Sequence, residues 1–133
     1  MSLELVEPEG WEPPSGYSNG VLAPRDARIL FVAGQIAWDA DQVLVGKGDF
    51  VAQFRQALAN VLAVVGAAGG EPAHLASLTV FVCDKNDYAA STKAIGAAWR
   101  ELVGRHFPAM ALVEVAGLLE KDALVEIQAI AAL

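Results

Sequence analysis

The 133-residue chain is short, apolar and acidic, with 55% hydrophobic residues and a net charge of −7. This length predicts a single domain over residues 1–133, which buries about two-thirds of its unfolded surface. The acidic charge disfavours nucleic acid as a partner, because phosphate backbones are bound through clustered lysines and arginines, and the nine basic residues form no run. Cys83 is the single cysteine, which excludes an internal disulfide and is typical of a reducing compartment.

The first residues of the chain carry no sign of an export signal. The stretch MSLELVEPEGWEPP contains neither the basic segment nor the apolar segment of a signal peptide. No apolar run is long enough to span a membrane. We therefore expect a cytoplasmic protein with no membrane partner.

The first third of the chain predicts an irregular lead-in followed by strands. Residues 7–20 contain three of the six prolines and three glycines, a composition typical of turns. Val21–Ala23 is predicted as a short strand, and Arg28–Gln35 as a longer one because it is almost continuously apolar. Ile36–Val45 contains an Asp-rich turn and is predicted as a hairpin.

Two helices are predicted in the middle of the chain. Asp49 is a suitable N-cap for the first, whose apolar residues recur at helical spacing up to Gly69-Gly70. Asp87 is a suitable cap for the second helix, which ends near Gly104. The inner face of this second helix consists of Tyr88, Ile95, Trp99 and Leu102.

Three further strands complete a predicted α+β fold: Leu75–Cys83, Ala109–Val115 and Leu124–Ala131. These strands and Arg28–Gln35 are apolar on both faces, whereas two helices cover only one face of such a sheet. We therefore expect a second copy of the chain to cover the other face. The alternative is that long loops fold over it.

Two carboxylates interrupt the last two strands and are the first candidates for chemistry. A charge at such a position costs on the order of several kcal/mol unless it is paired, hydrogen-bonded or solvated by a cleft. Glu126 lies deeper in apolar sequence than Glu114 and is favoured as a functional carboxylate. For Glu114 two interpretations have equal weight. It is either a functional carboxylate or a structural one that is exposed or ion-paired at a sheet edge. Trp38 follows a strand end closely enough to line a cleft.

The histidines and the cysteine indicate no metal or thiol chemistry. His74 and His106 are far apart and belong to no ligand motif, so no metal site is expected. Cys83 has no evident activating base and is predicted to be a buried strand residue rather than a nucleophile.

Several short motifs occur together from about residue 15 to the C-terminus. They are Gly16-Tyr17-Ser18, Val32-Ala33-Gly34-Gln35-Ile36, Gln53 with Ala57-Leu58-Ala59-Asn60-Val61, Ala67-Ala68-Gly69, Thr79-Val80-Phe81-Val82, Phe107-Pro108-Ala109, Val113-Glu114-Val115, and Val125-Glu126-Ile127 followed by Ala129-Ile130-Ala131. In combination they resemble the Rid family, also called RidA or YjgF. The resemblance implies a chorismate-mutase-like α+β subunit, with a mixed sheet of about six strands and two helices on one face. It also implies a homotrimer with clefts between subunits, which hydrolyses reactive enamines or imines without a cofactor.

The resemblance further implies site residues. In the family, a tyrosine of the lead-in turn, a glycine at a strand end, an arginine after Pro-Ala and a glutamate of the last strand surround the substrate. By resemblance these positions fall on Tyr17, Gly34, Met110 and Glu126, with Glu126 as the catalytic residue. The predicted substrate-binding residues are Tyr17, Ala33, Gly34, Trp38, Thr92, Met110 and Leu112.

Met110 is the main departure from the family pattern, because it replaces the arginine that holds the substrate carboxylate. Loss of such a charge pair typically costs roughly 2–5 kcal/mol. Ala33 replaces a usual serine, Leu112 a usual cysteine and Thr92 a frequent asparagine, so the pocket becomes more apolar. The predicted substrate is therefore a larger or less acidic enamine or imine than 2-aminoacrylate.

Several residues are candidates for the cation that replaces the family arginine, and two other functions are alternatives to the deaminase. An acidic substrate would need another cation, which Arg25, Arg28 or Arg105 of an adjacent subunit would supply. A trimer that binds a small metabolite without catalysis is one alternative function. An endoribonuclease or translation inhibitor is another, which the acidic charge disfavours.

Overall fold

Six strands form two sheets in the structure, which is a computed structural model that describes residues 2–133. The strands are β1 (Glu4–Val6), β2 (Gly20–Leu22), β3 (Ile29–Gln35), β4 (Leu75–Val82), β5 (Ala109–Glu114) and β6 (Val125–Ala132). β1 and β2 pair antiparallel as a small sheet. The large sheet has the order β3-β6-β4-β5, in which β4 and β5 are parallel and the other neighbours are antiparallel. The predicted α+β class and mixed sheet are confirmed, but the six strands are divided between two sheets.

Three helices precede β5 in the chain: α1 (Phe50–Ala67), α2 (Lys85–Ala89) and α3 (Thr92–Leu102). Asp49 is the N-cap of α1, as predicted. Its side chain accepts a hydrogen bond from the backbone N–H of Ala52 at 3.1 Å, which satisfies one of the free donors of the first turn.

The prediction of a single second helix capped by Asp87 is wrong. Asp84 caps α2 by accepting a hydrogen bond from the Asn86 N–H at 2.9 Å, and Asp87 lies inside the first turn. Ala90 and Ser91 then separate α2 from α3. The chain therefore has two short helices where the apolar spacing predicted one.

Two segments near the N-terminus also differ from the prediction. β1 was not predicted, because its three residues are all exposed and show no apolar alternation. Ile36–Val45 forms a single antiparallel bridge, between Trp38 and Leu44, instead of a full hairpin. The side chain of Asp39 holds this turn by accepting hydrogen bonds from two backbone N–H groups.

The core lies between the helices and one face of the large sheet. Its buried residues include Phe54, Leu58, Val61, Leu78, Val80, Val82, Ile95, Trp99, Val125, Ile127 and Ala129. With 18 residues and a mean hydropathy of 1.3, α1 is long and apolar enough to cross a membrane, contrary to the expectation that no apolar run reaches that length. Its inner stripe nevertheless packs into this core.

The opposite face of the large sheet is uncovered in a single chain. The strand register places Phe31 beside Ile130 and Phe81 beside Glu126 on this face. No loop of residues 2–133 covers Phe31, which is 75% exposed. We call this surface the bare face, and it is formed by Ile29, Phe31, Ala33, Ser77, Thr79, Phe81, Ala109, Ala111, Val113, Glu126, Gln128 and Ile130. Eight of these twelve residues are apolar, and an exposed surface of this composition is typical of an interface.

Gln53 ties α1 to two loops from the buried side of the helix. Its side chain is fully buried, and its Nε2 donates to the backbone oxygens of Gly46 and Asp122 at 3.2 and 3.0 Å. Its Oε1 accepts from the Leu124 N–H at 2.8 Å. One side chain therefore fixes the turn before α1 and the loop before β6.

We expect Gln53→Leu to lower the free energy of unfolding by about 2–4 kcal/mol, because three backbone groups lose their partner. Gln53→Glu keeps an acceptor for Leu124 but cannot donate to the two carbonyls, so it should also be destabilised. Urea denaturation of the three proteins measures these differences. A loss below about 0.5 kcal/mol for Gln53→Leu would contradict the assigned role.

Candidate functional site

Glu126 lies on the bare face beside a bulge of β3. The register of β3 against β6 shifts between Val32 and Gln35, so Ala33 and Gly34 form a β-bulge. A Cβ atom at position 34 would lie 2.6 Å from Glu126 Oε2 and 2.8 Å from its Cδ. The glutamate therefore occupies the space that a side chain at Gly34 would take, and these two predicted site residues are direct neighbours.

A cleft of about 340 Å³ opens beside this pair, and we call it the glutamate cleft. It is lined by Gly34, Gln35, Ile36, Trp38, Gln42, Leu119, Glu120 and Glu126. Trp38 thus lies with Gly34 and Glu126, whereas Ala33 lies next to them on the bare face. Neither of the two ion pairs formed within residues 2–133 involves Glu126, so no cation of the described chain neutralises it.

Side chains of α1 hold the segment after β3 that carries Trp38. Asn60 Nδ2 donates to the backbone oxygens of Ile36 and Trp38 at 3.0 and 2.8 Å. Gln56 Nε2 donates to the Trp38 oxygen at 3.3 Å. Asn60 and Gln53 belong to the motifs on which the family resemblance rests, and in the structure both act as supports of the loops around the glutamate cleft.

A second cleft opens at the β5 edge of the sheet, on the side of the helices. Its inner part, of about 500 Å³, lies between α3, β5 and the lead-in turn, and its outer part, of about 200 Å³, follows β5. Met110 lines both parts, Thr92 lines the inner part, and Tyr17 and Leu112 line the outer part. We call the two parts together the methionine cleft. It contains the other four predicted substrate-binding residues.

Aromatic and aliphatic side chains form the walls of the inner part: Phe54, Tyr88, Ile95, Trp99 and Phe107. Trp99 and Phe107 are stacked with their ring centroids 6.3 Å apart. Burial raises the pKa of Tyr88, so its phenol stays neutral in the cleft. The inner part is therefore an apolar pocket with fixed walls.

Two arginines also line the inner part. Arg100 follows Thr92 and Gly96 at intervals of four residues, so the three lie on one stripe of α3. Gly104, with φ +91°, ends the helix region and turns the chain so that Arg105 faces the same cleft. Arg105, which was considered as a cation from an adjacent subunit, lines the same cleft as Met110 within one chain.

The sequence prediction missed Arg100. The four-residue spacing from Thr92 through Gly96 was the signal that could have found it. Arg25 and Arg28, the other two arginines considered as replacement cations, line neither cleft.

The lead-in turn that carries Tyr17 is fastened to the start of β5. The Ser18 side chain donates to the backbone oxygen of Phe107, and the Ser18 N–H donates to that of Pro108 at 3.0 Å. Tyr17 itself is 41% exposed. Its ring is therefore available to a ligand or a partner, while its backbone is held in place.

The other residues considered for chemistry contact backbone groups outside the two clefts. Glu114 is exposed, and its Oε2 accepts a hydrogen bond from the Lys85 N–H at 2.9 Å at the start of α2. Cys83 is half-buried and its Sγ contacts a backbone carbonyl at 3.4 Å. His106 Nε2 contacts another backbone carbonyl at 2.6 Å. Within residues 2–133, no three His, Cys, Asp or Glu side chains are grouped as metal ligands would be.

The two clefts are separated in a single chain, because β3 and β5 are the outer strands of the large sheet. At about 4.8 Å per strand, these edges lie about 14 Å apart. Glu126 projects from the bare face, whereas Met110 and Leu112 pair with buried residues of β4 and project toward the helices. The predicted site residues therefore form two groups that do not meet within one chain.

Known proteins with the same fold and related sequence place the chain in a family. The sequence model of the family described as Endoribonuclease L-PSP matches residues 10–133. The solved structure of the Rid-family protein YyfB from Yersinia pestis superposes with a TM-score of 0.86 at 35% identity, and the match covers 100% of both chains.

Two curated relatives are named as deaminases. The 3-aminoacrylate deaminase RutC of Acinetobacter baylyi is 32% identical over 131 residues, which is 98% of this chain and 98% of the relative. The 2-iminobutanoate/2-iminopropanoate deaminase of Salmonella typhimurium is 41% identical over 106 residues, which is 77% of this chain and 78% of the relative. Fold, family model and relatives agree, and the chain therefore belongs to the Rid family, as its sequence motifs predicted.

Proposed function

We propose that this protein is a cofactor-independent deaminase, which hydrolyses an enamine or imine to a carbonyl compound and ammonia between two copies of a homotrimer. Relatives that are named as deaminases support the reaction class. The observation that carries the proposal is the division of the predicted residues between two clefts. One cleft has an unpaired carboxylate beside a backbone bulge, and the other is an apolar pocket.

The position of the clefts supports a site that is shared between copies. The glutamate cleft lies at the β3 edge of the sheet and the methionine cleft at the β5 edge. A contact between the β3 edge of one copy and the β5 edge of the next joins different surfaces, and such contacts form a ring when the rotation between copies closes. In a ring of three, the bare faces turn toward one another and bury Phe31 and Ile130.

In the proposed mechanism, water adds to the carbon of the protonated imine while Glu126 takes a proton from that water. The new C–O bond forms as the π electrons of the C=N bond move to nitrogen, which gives a carbinolamine. The Glu126 carboxylic acid then protonates the amine nitrogen and the C–N bond breaks. Ammonia leaves as the carbonyl forms and the hydroxyl proton is lost to solvent. An enamine first gains a proton at its β-carbon.

The other residues of the proposed site bind and orient the substrate. In the proposed site, backbone groups of the bulge at Gly34, which is adjacent to the Glu126 carboxylate, orient the reacting group. Tyr17 closes the outer part of the methionine cleft over the substrate. By resemblance Met110 replaces the arginine that holds a carboxylate next to the imine, so the preferred substrate is larger or less acidic at that position than 2-aminoacrylate.

We expect Gly34→Ala to lower kcat/KM about 10–100-fold with little loss of stability. The added methyl group must displace the end of the Glu126 side chain, which is flexible, and the backbone does not need to move. Steady-state kinetics and thermal unfolding of the same preparation check both halves of this prediction. Gly66→Ala, which adds the same methyl group outside both clefts at a position where a Cβ meets nothing within 4 Å, is the matched control. Unchanged kinetics for Gly34→Ala would contradict the contact.

The proposal is tested by ammonia release from imines that an amino-acid oxidase generates in situ. Imines with aliphatic, aromatic and acidic side chains are compared, and semicarbazide competition reports how fast each imine is hydrolysed. We expect acceleration over the spontaneous rate for at least one class of larger imine and little for 2-aminoacrylate. No acceleration of any imine in the panel would contradict a deaminase and favour the metabolite-binding trimer.

The nucleolytic activity in the family description receives less support from this chain. The net charge is −7, and the basic residues are scattered over the chain. An RNA-binding surface would make binding fall steeply with salt, because bound counterions are released. RNA binding measured across a salt series with such a slope would favour the nuclease over the deaminase.

A further inference from the structure

Two exposed arginines line a largely apolar cleft and have no carboxylate partner among residues 2–133. Arg100 and Arg105 both line the inner part of the methionine cleft. The ion pairs of the described chain are Lys47 with Asp122 and Arg55 with Glu101, and neither uses these two arginines. In a chain of net charge −7, two unpaired arginines at one cleft are a local excess of positive charge.

The acidic residue next to Arg100 in sequence is already engaged elsewhere. Glu101 points to Arg55 of α1, and the hydrogen bond from Arg55 lowers the pKa of Glu101. This carboxylate is therefore ionised and paired with Arg55, and it does not form an ion pair with Arg100.

The backbone that carries each of the two arginines is held in place by neighbouring contacts. Arg100 lies in the last turns of α3, whose residue Trp99 is buried. Trp99 Nε1 donates to the His106 oxygen at 3.0 Å, which pins the turn that carries Arg105. The two arginines therefore extend from anchored backbone positions, and both line the same pocket.

Gly96 leaves open space in the wall of this cleft. A Cβ atom built on Gly96 meets nothing within 4 Å, and the residue lines the cleft. Thr92 and Arg100 lie one turn before and one turn after it on α3. Gly96, Met110, Arg100 and Arg105 therefore line one cleft, which combines apolar walls with two cationic residues.

We propose that the inner part of the methionine cleft binds the distal carboxylate of an elongated substrate through Arg100 and Arg105, so that the preferred enamine or imine carries an acidic group several carbons from its nitrogen. This inference rests on the proposed deaminase for the reaction, but the binding step can be measured by itself. Arginine suits the task because its guanidinium matches a carboxylate with two parallel hydrogen bonds. The apolar walls accommodate the carbon chain between the two ends.

The test compares two stable keto acids of equal chain length, 2-oxosuberate and 2-oxooctanoate, which differ in the distal carboxylate. Isothermal titration calorimetry on the intact wild-type oligomer should give tighter binding of 2-oxosuberate by about 10–100-fold, the value expected of a charge-assisted contact. In the Arg100→Gln/Arg105→Gln double variant, the ratio of the two dissociation constants should fall to within about threefold. Lys93→Gln, which removes one charge from the same helix outside this cleft, should keep the wild-type ratio.

A second variant tests the inner part of the methionine cleft without removing a charge. Gly96→Leu adds a side chain where the cleft is open, and leucine is a better helix former than glycine, so α3 should stay folded. We expect binding of 2-oxosuberate to weaken at least about tenfold, because the added side chain fills part of the space that the ligand would occupy in the cleft. Gly96→Ala should weaken binding less and raise the thermal stability.

The outcomes separate the two proposals. Equal affinity of wild type for both keto acids would overturn the distal carboxylate site, even if the protein hydrolyses apolar imines. A preference for 2-oxosuberate that is lost in the arginine double variant would support the carboxylate site. If no imine is hydrolysed in that case, only the deaminase proposal is contradicted. A preference that survives in the double variant would overturn the assignment to Arg100 and Arg105.

Discussion

Glu126→Gln is expected to lower kcat/KM for imine hydrolysis by about 10²–10⁴-fold, the range typical of losing a general base. The amide has the same shape as the carboxylate and cannot take a proton from the attacking water. No ion pair within residues 2–133 involves Glu126, so the change breaks no salt bridge of the described chain. The thermal unfolding curve should therefore move little while the rate falls.

Glu114→Gln is the matched control for this variant. Both glutamates interrupt an apolar strand of the large sheet, but Glu114 accepts a hydrogen bond from the backbone of Lys85 and lines neither cleft. The control should retain the wild-type rate, because it lies outside the proposed site. Equal rates for wild type and Glu126→Gln would remove Glu126 from the mechanism.

Phe31→Glu is expected to convert the proposed trimer to single chains and to reduce imine hydrolysis to the spontaneous rate. Phe31 is 75% exposed in one chain and lies on the bare face in the outer strand β3, beside Ile130. Burying such a side chain contributes about 1.5–3 kcal/mol per copy, and a buried unpaired carboxylate opposes assembly more strongly still. Because the proposed site needs two copies, the loss of assembly and the loss of activity should occur together.

Light scattering coupled to gel filtration measures the first effect, and wild type should elute at three times the mass of the chain. Leu5→Glu is the control, because Leu5 is a 51% exposed apolar residue of the small sheet and does not belong to the bare face. Circular dichroism should report a folded chain for both variants. A Phe31→Glu protein that remains a trimer would contradict the role of the bare face.

Much of the fold is predictable because its signals are local. The Asp49 cap and the helical spacing after it define α1, and continuous apolar runs define the four strands of the large sheet. The break between α2 and α3 escapes this reasoning, because Tyr88 and Ile95 are seven residues apart and keep helical phase across it. The three exposed residues of β1 carry no apolar pattern at all.

The arrangement of the candidate site depends on contacts that are distant in sequence. Glu114 and Glu126 have similar local surroundings, and only the strand order puts one at an outer edge and the other between β3 and β4. The same order separates Met110 from Glu126 in one chain. Residue identities can therefore suggest the members of the site, whereas the pairing of strands decides which members meet.

The shared cleft is tested most directly by mixing two inactive variants. Glu126→Gln removes the carboxylate of the glutamate cleft, and Leu112→Trp fills the outer part of the methionine cleft. When the two proteins are unfolded together in equal amounts and refolded, random assembly gives about one cleft in four with both intact sides. Activity near a quarter of the wild-type value is the result we predict, and a mixture as inactive as its two parents would contradict a site built from two copies.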